Sequence, residues 1–149
     1  VEANCFDLYG DAVAKTSNGY GVINKEGKII IDFSNSSIKM ASDKVKQNTF
    51  KDKNNVFYAV RKDNRYALYN SKGKRVNKTF YDNITFDLNY PIFLASTESK
   101  DLIITSDLNE IEVTSSNASY KAYKNYIIVK NEYYNYNGKL IYIDNRGED

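Results

Sequence analysis

The sequence contains no His and no Trp, and Cys, Met and Pro occur once each. Without His, a Ser-His-Asp or Cys-His catalytic unit, a His metal cluster and a His-based pH switch are excluded. The lone Cys5 excludes an internal disulfide, a CxxC redox pair and a Cys-based zinc or iron–sulfur centre. With no His to activate it, Cys5 reads as a structural thiol. The apolar runs, such as Ile29–Ile31 and Tyr126–Val129, are strand-sized, far below the ~20 residues of a membrane-spanning helix. No P-loop or dinucleotide glycine pattern occurs, so phosphate-cradling chemistry has no support. A formal net charge of +2 gives no reason to expect a nucleic-acid partner.

What the chain does carry is 14 Tyr and 7 Phe, with 42% hydrophobic and 27% charged residues over 149 positions. That composition describes a soluble globular protein with enough chain for a real core. The chain opens at Val1 rather than Met, which fits a removed signal peptide or excision from a longer protein, and the latter is expected. An exported or surface location is favoured, and a cytoplasmic one stays open.

Repetition organises the rest. Gly19-Tyr-Gly-Val-Ile-Asn-Lys-Glu-Gly-Lys-Ile-Ile-Ile31 has a close copy in Arg65-Tyr-Ala-Leu-Tyr-Asn-Ser-Lys-Gly-Lys-Arg-Val-Asn77. Fainter copies run over Asp101–Val113, with Asn109 at the glycine position, and over Tyr133–Ile143. Short apolar runs precede these segments at Val13, Ala59, Ala95 and Tyr126–Val129, and Ile38, Ile84 and Tyr120 follow the first three at a constant offset. Four degenerate units are expected, at about 11–50, 56–90, 92–123 and 126–149, within one domain.

Each unit reads as β. Apolar, β-branched and aromatic runs flank Asn24-Lys-Glu-Gly27 and Asn70-Ser-Lys-Gly73, where glycine supplies a positive φ. Asn109 is expected to take the left-handed position in the third unit, and Asn137-Gly138 to form a two-residue hairpin turn in the fourth. Between Ser36 and Phe50, apolar residues fall at roughly helical spacing, so one short helix near residues 36–50 competes with an irregular strand. The expected fold is all-β: tandem antiparallel meanders, arranged as a propeller, an open solenoid or a sandwich.

Tyr20-Gly-Val-Ile-Asn-Lys-Glu-Gly-Lys-Ile-Ile30 resembles the core of the bacterial WG (KWG) repeat: an aromatic residue, Gly, two hydrophobics, a turn, Gly-Lys and two hydrophobics. Tyr81, Asp82 and Ile84 match the tail of that repeat. Tyr20 and Tyr66 stand where the family commonly has Trp, Ala67 replaces Gly, and the later copies are degenerate. The resemblance implies tandem three-stranded β-meanders and a non-enzymatic, usually surface-associated interaction role.

Candidate chemistry is sparse. The carboxylates are scattered among turn residues; the tightest group, Asp107-x-x-Glu110-x-Glu112, matches no calcium-loop pattern. No catalytic residue, metal or cofactor is assigned. Tyrosine is the distinctive class: Tyr120, Tyr123, Tyr126, Tyr133, Tyr134, Tyr136 and Tyr142 crowd the last thirty residues, and Tyr126, Tyr133, Tyr134, Tyr136 and Tyr142 are singled out with Asn135. Successive strand residues point to opposite faces, so Tyr133 and Tyr134 cannot share one face and some of these rings must be exposed. Exposed Tyr with Asn combines rigid apolar area with a polar tip, as binding surfaces do. These six residues are the expected binding region, and the first expectation is a protein-binding module. A carbohydrate- or cell-wall-binding module is the alternative, and a carboxylate-dependent hydrolase a third.

Overall fold

The computed structural model describes residues 2–3, 10–40, 56–87, 92–105, 107–113 and 120–146; of residues 2–3 only the backbone is described. Fifteen strands and no helix lie among them. The first sheet joins β1 (Glu2–Ala3), β2 (Asp11–Thr16), β3 (Gly19–Asn24) and β4 (Ile29–Asn35). The second joins β5 (Ser37–Met40), β6 (Phe57–Lys62) and β7 (Arg65–Asn70). The third holds β8 (Asn83–Phe86), β9 (Ile92–Ser96), β10 (Asp101–Thr105) and β11 (Glu110–Val113). The fourth holds β12 (Tyr120–Ala122), β13 (Tyr126–Val129), β14 (Glu132–Asn135) and β15 (Leu140–Ile143). All pairing is antiparallel between chain neighbours, so the protein is all-β and built of meander repeats.

The described part of the ambiguous 36–50 stretch is strand β5, whose Ile38 pairs with Val60; residues 41–50 lie outside the described residues. Ile38, Ile84 and Tyr120, which follow the first three repeat segments at a constant offset, sit in β5, β8 and β12, the first strands of the next sheets, and these pair with β6, β9 and β13. The handover from β4 to β5 takes one residue, Ser36, whose N–H and hydroxyl both donate to the Arg61 carbonyl at 2.8 and 2.9 Å.

Alternation then builds three cores between consecutive sheets. Val13, Val22 and Ile31 of the first sheet meet Met40, Val56, Tyr58 and Val60 of the second. The opposite face of β6, Phe57 and Ala59, packs with Leu68 and Tyr81 against Ile84, Phe93, Ala95, Leu102 and Ile104 of the third. Ile92, Ile103, Ile111 and Val113 of the third sheet meet Ile127 and Val129 of the fourth. The second and third sheets are thus apolar on both faces, which is why their strands read as continuous apolar runs. The aromatic packing is edge-on, with Phe57 and Phe93 at 5.4 Å and 81°.

One turn closes all four meanders. Asn24, Asn70 and Asn135 each accept two backbone N–H groups on Oδ1, from residues two and four further on, at 2.8–3.1 Å. Their N–H groups donate to the carbonyls of Lys28, Lys74 and Lys139. Gly27, Gly73 and Gly138 hold φ of 80°, 80° and 82°. This is the three-residue hairpin loop, a turn followed by a left-handed residue. The two-residue turn expected at Asn137-Gly138 is therefore corrected: Asn135 and Lys139 close a loop over Tyr136–Gly138.

The third unit is corrected by one residue. Thr105 takes the Asn24 place, with its N–H on the Asn109 carbonyl at 3.0 Å, and Leu108, not Asn109, holds the positive φ of 65°. A one-residue slip exchanges sheet faces, so the corrected register decides which rows correspond. Two residues before each turn stand Val22, Leu68, Ile103 and Tyr133.

Candidate functional site

Tyr133 occupies the position that in the three earlier sheets faces the next sheet. The corresponding cross-strand rows are Val13–Val22–Ile31, Ala59–Leu68, and Leu94–Ile103–Ile111. Each packs into the core it shares with the following sheet. In the fourth sheet the row is Ile128–Tyr133–Tyr142. It belongs to none of the three cores, and Tyr142 is 52% exposed.

The local sequence sets this face. In β13, Ile127 and Val129 turn into the third core, so Tyr126 and Ile128 turn outward. Tyr133 follows Ile128 in register, and Tyr142 follows Tyr133. Tyr123 joins from the turn between β12 and β13, where its N–H donates to the Tyr126 carbonyl at 2.9 Å. The result is a four-ring ladder across the sheet. Tyr123 and Tyr126 stack at 4.9 Å and 22°, Tyr126 and Tyr133 lie at 5.7 Å and 31°, and Tyr133 meets Tyr142 edge-on at 5.3 Å and 67°.

Of the six residues expected at the binding region, the structure brings together Tyr126, Tyr133 and Tyr142. Tyr134 and Tyr136 turn to the opposite face and pack on the third core. The Tyr134 hydroxyl donates to Glu132 Oε2 at 2.5 Å, and the Tyr136 hydroxyl donates to the Tyr123 carbonyl. Asn135 is spent on turn closure. Tyr123 was missing from the expected set; its closeness to Tyr126 in a short turn is the signal that could have found it.

Beside the ladder runs β15, the outer strand of its sheet, with Leu140, Ile141, Tyr142 and Ile143 all 41–53% exposed. Ile141 falls at an irregularity of register between β14 and β15 and pairs with no residue of β14. Past its end, Asp144 accepts from Arg146 at 2.9 and 3.1 Å, and the guanidinium holds its carboxyl below the usual range.

Carboxylate–tyrosine bonds recur between sheets. Tyr58 donates to the buried Asp11 at 3.1 Å, Tyr81 to Glu110 at 2.7 Å and Tyr120 to Asp87 at 2.6 Å. Burial and the adjacent carboxylate push Tyr81 and Tyr120 well above the ordinary tyrosine range; the same causes push Tyr134 up to about 12. A cleft of about 440 Å³ between the second and third sheets is lined by Asn77, Lys78, Tyr81, Asn109 and Glu110 with four apolar residues. Glu110 is the one carboxylate in that lining, where glycosidic acid–base chemistry uses two. The acidic cluster of β11 is divided, Glu110 engaging Tyr81 and Glu112 lying 3.7 Å from Lys100. Among the described residues no group of three or more His, Cys, Asp or Glu gathers to hold a metal, and no helix is long and apolar enough to cross a membrane.

These observations define an all-β protein of stacked three- and four-stranded meanders with a tyrosine ladder on the face of its last sheet. Comparison with protein-family models, with curated proteins and with solved structures found no match to the chain.

Proposed function

We propose that this protein is a non-enzymatic interaction module that binds another protein through the outer face of its fourth sheet. The observation that carries this reading is positional: Ile128, Tyr133 and Tyr142 form the row whose three counterparts are covered by a β-sheet. A face built on the same plan suits the same kind of cover, a polypeptide surface. Ring geometry supports a protein over a sugar. Tyr126 has the Tyr123 ring at 4.9 Å and the Tyr133 ring at 5.7 Å, so neighbouring rings already engage it. Sugar platforms need open ring faces, whereas protein contacts use Tyr edges and hydroxyls equally well. The WG-repeat resemblance of the first two units agrees with a repeat scaffold that presents a surface, and an exported or surface-attached setting fits it.

The test compares proteins captured from a cell extract by the wild type and by a Tyr126→Ser/Tyr133→Ser/Tyr142→Ser variant, with Tyr134→Phe as a control on the opposite face. Loss of partners from the triple variant alone supports the assignment. Identical captured sets overturn it, and capture of glycans instead of proteins moves the reading to the carbohydrate alternative.

A further inference from the structure

We infer that the cleft between the second and third sheets binds a small zwitterion with an apolar side chain, of the class of the free aliphatic α-amino acids. Its lining comes from those two sheets, and the inference does not rest on the reading of the fourth-sheet face.

The cleft lies where the stack departs from its own plan. At the first interface, the turn of the second sheet comes down on the first so closely that a Cβ on Gly73 would stand 2.0 Å from the Ile30 carbonyl oxygen. At the third interface, a Cβ on Gly138 would stand 2.8 Å from the Asn109 Cβ. The second interface has Leu108 in the place of Gly73, at a left-handed φ of 65°, and Val76 in the place of Ile30. A side chain cannot be seated where the other turns admit only hydrogen. Leu108 and Val76 instead line a cleft of about 440 Å³, within the roughly 300–1,000 Å³ of small-molecule sites. Among the described residues Leu108 is the one apolar side chain held at positive φ, a conformation that costs energy and persists only where the surroundings compel it.

The lining selects the ligand. Leu68, Val76, Ile104 and Leu108 give it an apolar wall, and Lys78 and Glu110 give it one charge of each sign. Among the described residues neither charge enters an ion pair, with the other or elsewhere. The buried Tyr81 hydroxyl donates to Glu110 Oε1 at 2.7 Å, which anchors the carboxylate and leaves Oε2 to accept. An ammonium suits Glu110, a carboxylate suits Lys78 and an aliphatic chain suits the wall. A phosphate or nucleotide would bring its charge against Glu110 with a single cation to hold it. A sugar would find no ring to stack on, because Tyr81, the one aromatic residue of the lining, is 1% exposed. A divalent cation would find one carboxylate beside a lysine.

The experiment titrates the whole protein with L-leucine, following backbone amide shifts by NMR. Saturable shifts are expected across residues 76–81 and 108–110. Isoamylamine lacks the carboxylate, isocaproate lacks the ammonium and glycine lacks the side chain. Each should bind at least about tenfold more weakly than leucine. Glu110→Gln keeps an oxygen for the Tyr81 hydroxyl and should weaken leucine binding about tenfold. Lys78→Gln, at an exposed position, should do likewise if Glu110→Gln folds poorly. No saturable shift with leucine, shifts confined to the fourth sheet, equal binding of the amine, the acid or glycine, binding of inorganic phosphate in place of leucine, or unchanged leucine affinity in both variants each overturns the proposal.

Discussion

Tyr81 and Glu110 are joined across the second and third sheets by a hydroxyl-to-carboxylate bond of 2.7 Å, and Tyr58–Asp11 and Tyr120–Asp87 repeat the arrangement at the other two interfaces. Each bond fixes how far one sheet can slide over the next, which apolar contact alone does not.

These bonds predict an alkaline weakness. Folding raises the affinity of Tyr81, Tyr120 and Tyr134 for their protons above that of an ordinary tyrosine, whose pKa is about 10. Their contribution is fully present below about pH 10 and is lost as pH rises toward the folded values, because the unfolded chain releases those protons first. Denaturation midpoints should hold below pH 10 and fall above it, and phenolate absorbance should show a late-ionising subset of tyrosines. Tyr81→Phe should flatten the alkaline slope while costing about 1 kcal/mol at neutral pH.

Two glycines with the same φ of 80° separate strain from crowding. A Cβ on Gly27 meets nothing within 4 Å, whereas one on Gly73 would stand 2.0 Å from the Ile30 carbonyl oxygen of the first sheet. Gly27→Ala should cost about 1–2 kcal/mol, the left-handed penalty alone. Gly73→Ala should cost about 1–3 kcal/mol more, because the backbone must move. Urea denaturation of the two variants measures the difference.

The turn asparagines act through one oxygen. Asn70 Oδ1 accepts from the N–H groups of Lys72 and Lys74 at 3.0 Å each. Asn70→Asp keeps that acceptor and should be nearly neutral, while Asn70→Ala should cost about 1 kcal/mol in the same measurement.

Stacked sheets should weaken locally. Ile127 is fully buried between the third and fourth sheets. Ile127→Ala should cost about 2–5 kcal/mol. In a stack whose units touch only neighbours, the loss should concentrate in amide exchange of β12 to β15 and leave β2 to β4 little changed. Uniform loss across all sheets would argue against the stack.

Much of this architecture was legible in the sequence, and the exceptions have physical reasons. Strands and turns showed because period-2 alternation and Asn-x-x-Gly are local signals. The third turn misled because Leu108 holds a left-handed φ without the residue type that advertises it. β5 resisted because a strand that leaves one sheet for the next carries apolar residues without a hairpin beside it. At the site, the adjacency of Tyr133 and Tyr134 guaranteed one ring on each face but not which face was the core. That choice depends on Ile103 and Ile111 of the preceding sheet. The Tyr–carboxylate pairs lie 29 to 47 residues apart, beyond any local pattern.

The most direct test of the binding face is a hydroxyl-radical footprint of the protein alone and in complex with a captured partner. Oxidation of Tyr123, Tyr126, Tyr133 and Tyr142 should fall together on binding, while Tyr20 and Tyr66, on the first and second sheets, keep their rates. Unchanged oxidation of the four ladder tyrosines, with protection elsewhere, would contradict the account.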